Sequence, residues 1–167
     1  TISRESPVRV AFHEAMARPE QVGAPLDASP FRFEPRIKGT AVWAAPDRIE
    51  FRPAERLPDG QTYSASLDLG PLLPAGKTPL ARFDFVFSTM RQSFDVAVDG
   101  LQAADATDVK RQALTGRLVT ADVEEAPGVE KVLRASFAGR DLPVTWTHAS
   151  NRRVHAFTVG GIERAEV

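Results

Sequence analysis

Short runs in which every second residue is apolar, each broken after a few positions by proline, glycine or aspartate, constrain this chain most. Val8, Val10 and Phe12 form one such set, Phe31 and Phe33 another, and Phe83, Phe85 and Phe87 a third. Successive side chains of a strand point to opposite faces, so a period of two buries one face and leaves the other to water. An antiparallel, mostly β chain follows. Thirteen prolines and eleven glycines supply its turns.

The stretch from Gly39 to Pro53 reads as a hairpin around Pro46 and Asp47. A plain two-residue turn there sets Ala45 opposite Arg48, Ala44 opposite Ile49, Trp43 opposite Glu50 and Val42 opposite Phe51. On that register Val42, Ala44, Ile49 and Phe51 face the core. Trp43, Arg48, Glu50 and Arg52 fall on the outer face, which makes them the candidate partner-contact residues; the indole there either meets a partner or a sugar, or stacks on Arg52 or packs against the second domain. Downstream, Leu57-Pro58-Asp59-Gly60 leads into Tyr63. This resembles the tyrosine corner of immunoglobulin-like sandwiches, in which the hydroxyl bonds the backbone upstream. About seven strands are expected before Thr89, where alternation lapses. It restarts at Phe94, Val96 and Val98, which puts a domain boundary between residues 91 and 92.

In the second half, Thr115 to Val123 is a strand candidate. Val129, Val132, Leu133 and Phe137 follow helical spacing, with Pro127 in the first turn and Gly139 at the end, so a short helix is expected there. A turn at Asn151-Arg152 sets Val144 opposite Val159, Trp146 opposite Phe157 and His148 opposite His155.

Candidate chemistry is sparse. Lys+Arg 21 against Asp+Glu 22 gives no basic footprint for nucleic acid. No apolar run reaches the ~20 residues of a membrane span, so direct membrane insertion is not expected. Zero cysteines exclude a disulfide frame, a thiolate nucleophile and an internal thioester. His148 and His155 offer two metal-type nitrogens without a third ligand nearby in sequence, and rim histidines of an apolar face explain them more simply. His13 and Glu14 are adjacent, so on a strand they point apart, and no nucleophile elbow, zinc motif or phosphate loop accompanies them. Asp95, Asp99, Asp105 and Asp108 lack the loop spacing of a calcium site. No catalytic, cofactor or metal residue is therefore assigned.

Several segments together are similar to the bacterial alpha-2-macroglobulin-like proteins: Ile2-Ser3-Arg4-Glu5-Ser6-Pro7-Val8-Arg9-Val10, Phe31-Arg32-Phe33-Glu34-Pro35, Ile37 through Trp43, Ile49 through Gly60, and Leu142-Pro143-Val144-Thr145-Trp146. The resemblance implies two tandem Ig-like or macroglobulin-like β-sandwich domains, residues 1–91 and 92–167, the second small and carrying the short helix. It further implies a non-catalytic N-terminal scaffold of a broad-spectrum endopeptidase inhibitor in the periplasm or cell envelope, anchored through a missing N-terminus. Its partners would be neighbouring domains of a longer chain and, through the whole protein, proteases. The competing expectation is a cell-surface adhesion or carbohydrate-binding Ig-like module that uses Trp43.

Overall fold

In a computed structural model, residues 1–73 and 81–164 are described, and they form twelve strands and one short α-helix. The chain is mostly β, with antiparallel pairing throughout its sheets. It divides into two compact units, Thr1–Arg91 and Gln92–Val167.

The first unit contains β1 (Val8–Ala11), β2 (Phe31–Glu34), β3 (Gly39–Ala45), β4 (Arg48–Pro53), β5 (Thr62–Asp68) and β6 (Arg82–Ser88). They form two three-stranded sheets, ordered β1-β4-β3 and β2-β5-β6. The alternating phenylalanines join them: Phe31 and Phe33 of β2 meet Phe51 of β4, the closer pair with ring centroids 4.7 Å apart. Ile49 and Leu67, one from each sheet, are fully buried in the same core. Among the described residues of this unit there are six strands, where about seven are expected from the sequence. On β6, Phe85 and Phe87 pack against the core, but Phe83 is exposed, near the start of an edge strand.

The β3/β4 hairpin corrects the expected register. Ala45 does pair with Arg48, but Trp43 pairs with Ile49, Val42 with Glu50 and Ala41 with Phe51, with an irregularity between Trp43 and Ala45. One extra residue, Ala44, shifts β3 upstream of the bulge by one place and so reverses the faces of its side chains. Trp43 consequently points inward, 3% exposed and packed against Phe12 at 6.0 Å between ring centroids. Gly39 permits the close approach at the far end of the hairpin, because a Cβ there would lie 2.2 Å from the Arg52 carbonyl oxygen.

Tyr63 is buried and its ring stacks on Phe87. Burial pushes the phenol pKa up. The expected corner bond is not formed: among the described residues the Tyr63 hydroxyl has no hydrogen-bond partner, and the turn is tied instead by Thr89. Its hydroxyl donates to the Pro58 carbonyl at 2.7 Å and accepts from the Gln61 N–H at 2.8 Å.

The second unit contains β7 (Phe94–Asp105), β8 (Asp108–Thr120), α1 (Ala126–Glu130), β9 (Ala135–Phe137), β10 (Arg140–Leu142), β11 (Val144–His148) and β12 (Val154–Glu163). Its main sheet is ordered β11-β12-β8-β7. The last hairpin pairs as the sequence predicts, with Val144 opposite Val159, Trp146 opposite Phe157 and His148 opposite His155. The Phe157 ring also crosses Gly116, where a Cβ would lie 2.4 Å from it. Strand β8 begins earlier than expected, since β7 and β8 form one long hairpin whose turn is fastened by the Thr107 N–H donating to Asp105 Oδ1 at 2.8 Å. Adjacent Leu118 and Val119 fall on opposite faces of β8, Leu118 buried and Val119 exposed.

The expected helix is present but stops at Glu130. Beyond it, Ala138 (φ 49°) and Gly139 (φ 77°) make a two-residue turn that pairs β9 with β10, and Phe137 stands exposed on β9. Two consecutive positive φ angles suit the twist of a hairpin, and a helix of a turn or two gains too little cooperativity to compete with it.

Candidate functional site

Strand β4 carries Arg48, Glu50 and Arg52 at alternating positions, and β1 sets Arg9 directly opposite Glu50. The Glu50 carboxylate accepts from Arg9 Nε at 2.9 Å, Arg52 Nε at 2.7 Å and Arg52 Nη2 at 2.6 Å. Its side chain is 6% exposed, whereas those of Arg9 and Arg52 are 61% and 56% exposed. Burial works against the charged carboxylate. The hydrogen bonds from Arg9 and Arg52 and their positive charge outweigh it, and hold the carboxyl below its ordinary value. A carboxylate so committed is a clamp between strands rather than a proton donor or acceptor.

Of the four residues expected to meet a partner together, this face gathers Arg48, Glu50 and Arg52. Trp43 belongs to the core on the other side of the sheet, and Glu50 is buried beneath its arginines. What remains at the surface is a cationic strip of Arg9, Arg48 and Arg52. A buried indole offers no platform for a sugar ring, so the carbohydrate-binding expectation loses its aromatic.

A second polar cluster lies in the second unit. His148 and His155 face each other across β11 and β12 with their Nδ1 atoms 2.8 Å apart, and α1 brings Glu130 Oε1 to 3.1 Å from His148 Nε2. Only one proton fits between two Nδ1 atoms. With both rings neutral, His148 Nε2–H donates to Glu130, His148 Nδ1 accepts from His155 Nδ1–H, and His155 Nε2 keeps a bare lone pair. That atom is buried without a hydrogen-bond partner among the described residues, and the residue is fully enclosed. Burial, then the charge of His148, lowers the His155 pKa; the Arg152 backbone and the charge of Glu124 act the other way. Sequence spacing exposes the histidine pair but not Glu130, which sits on a different element.

Among the described residues no group of three or more His, Cys, Asp or Glu side chains is arranged to hold a metal ion. His13 and Glu14 are both exposed beyond the end of β1. Asp99 lies 3.5 Å from Arg117 and Asp105 caps its own turn, so neither joins an acidic cluster. No described helix is long and apolar enough to cross a membrane. No protein-family model, curated protein or solved structure matches the chain.

Proposed function

We propose that this chain is a non-catalytic scaffold segment of a bacterial macroglobulin-like endopeptidase inhibitor of the periplasm or cell envelope. It spaces neighbouring domains and gives them packing surfaces. The observation that carries this reading is the junction between the two β units. Thr89 and Met90 are bonded into the first unit, to Pro58, Gln61 and Ile2. Gln92 is bonded into the second, its side chain accepting from the Asp122 N–H at 2.9 Å and donating to the Asp122 carbonyl at 3.2 Å. Two β units, each bonded internally up to its own side of the boundary, suit a chain of modules. The sequence resemblance supplies the inhibitor, the neighbouring domains and the compartment, and the fold of each module would then be macroglobulin-like.

The test compares the chain with the whole gene product. The chain alone should leave a protease acting on a large protein substrate at full rate and should turn over no ester, peptide or glycoside. The whole product should slow the same protease on the large substrate while sparing a small chromogenic peptide. Inhibition by residues 1–167 alone, or none by the whole product, removes the proposal.

A further inference from the structure

One face of the second unit's sheet is apolar along most of its width. The register sets Val96, Val98 and Leu101 of β7 beside Leu118, Gly116 and Leu114 of β8, and these beside His155, Phe157 and Val159 of β12. The β12 side of this face is covered, for Phe157 and Val159 are buried. The β7 side is open: Val96, Val98 and Leu101 are 44%, 58% and 57% exposed. Above it runs a groove of about 500 Å³ with β7 on one side and the segment 133–137, including β9, on the other.

Two features of that groove select its occupant. Every residue from Leu133 to Phe137 lines it, of both parities, as the edge of a strand does and a single face does not. Strand β9 pairs only with β10 among the described strands, so its other edge keeps unpaired N–H and C=O groups. Such an edge is matched by another polypeptide backbone, and neither an acyl chain nor a nucleic acid reproduces that ladder. The second feature is charge. Arg134 is the one charged side chain in the lining, it has no ion-pair partner among the described residues, and no acidic residue accompanies it.

We propose that this groove accepts an extended strand from another polypeptide, which adds to the free edge of β9. Its apolar residues alternate to rest on Val96, Val98 and Leu101, and an acidic residue reaches Arg134. The added strand widens the β9/β10 pair into a second layer over β7 and β8, covering the face that the described residues leave open. This holds whether or not the chain belongs to a protease inhibitor.

The probe is a blocked heptapeptide of alternating valine and glutamate, titrated into the 167-residue chain and followed by amide NMR shifts. Saturable shifts in β7 and β9 are expected. Methylating alternate peptide nitrogens on the pairing edge should weaken binding about tenfold or more, the loss of roughly one to two net hydrogen bonds. Replacing the glutamates by lysine should weaken it as well, and Arg134→Glu should reverse that preference. Val98→Asp, at an exposed position, should abolish binding with an unchanged melting temperature. Equal binding of the methylated peptide, equal binding of the lysine peptide, or shifts confined to another edge such as β6 would overturn the proposal. So would a response to octanoate, or self-association through β7 and β9, with none to the peptide.

Discussion

Glu50 is the residue whose surroundings differ most from those of an ordinary strand carboxylate. It is buried, yet it holds two guanidiniums from neighbouring positions of one face. Glu50→Gln keeps the shape and removes the charge, leaving Arg9 and Arg52 to repel one another. A loss of about 1–3 kcal/mol in urea denaturation is expected near neutral pH. Because the folded carboxyl titrates below its ordinary value of 4.5, its contribution is complete above that pH and is lost as pH falls through the folded value. The gap between wild type and variant should therefore narrow in acid; a constant gap would refute the ionic account. His155 has the opposite chemistry but the same direction. Its folded pKa lies below the ordinary 6.5, so the unfolded chain takes up the proton first and stability falls as pH drops below that value. His155→Phe removes the titrating ring from the buried site and should flatten the stability profile between about pH 7 and pH 5. An unchanged slope would show that His155 does not titrate on unfolding.

At the scale of elements, one inserted residue separates what alternation reveals from what it conceals. The β11/β12 hairpin is legible because its loop preserves the pairing parity, so Trp146 meets Phe157 in the sequence as in the structure. In β3/β4 the same parity argument fails, because Ala44 bulges and every residue upstream changes face. Nothing in the local pattern marks the bulge, since Val42 and Trp43 are both apolar and both prove to be buried. The helix is present at Ala126–Glu130 but ends well before Phe137 for a related reason: in so short a segment, helical spacing and a hairpin with a positive-φ turn share the same apolar residues. Glu130 was invisible because its partner lies on another element. The bulge makes a prediction that separates register from composition. Trp43→Ala should cost about 3–5 kcal/mol, as a large aromatic leaves a buried site. Deleting Ala44 joins Trp43 directly to Ala45 and restores a regular ladder with Trp43 still opposite Ile49, so it should cost much less. Equal losses in the two variants, measured by urea denaturation, would mean that the bulge itself holds the hairpin.

For the molecule as a whole, the two units bury their apolar residues unequally. The first closes its sheets over phenylalanines, Trp43, Ile49 and Leu67, and this core is drawn entirely from residues of that unit. The second encloses Leu118, Val129, Phe157 and Val159 but leaves Phe94, Val96, Val98, Leu101 and Phe137 on its surface. Since stability follows the apolar area removed from water, the second unit should unfold first. The chain provides a separate probe for each, because its two tryptophans, Trp43 and Trp146, fall one in each unit. In Trp146→Phe the remaining fluorescence follows the first unit, and in Trp43→Phe it follows the second. Urea titration of the two variants should give distinct midpoints, the lower one reported by Trp146. Because Trp43→Phe perturbs the larger core, circular dichroism of the unsubstituted chain provides the control and should show two steps. A single step, coincident across both fluorescence probes and circular dichroism, would mean that the units unfold together and that the open face of β7 does not set the weaker one.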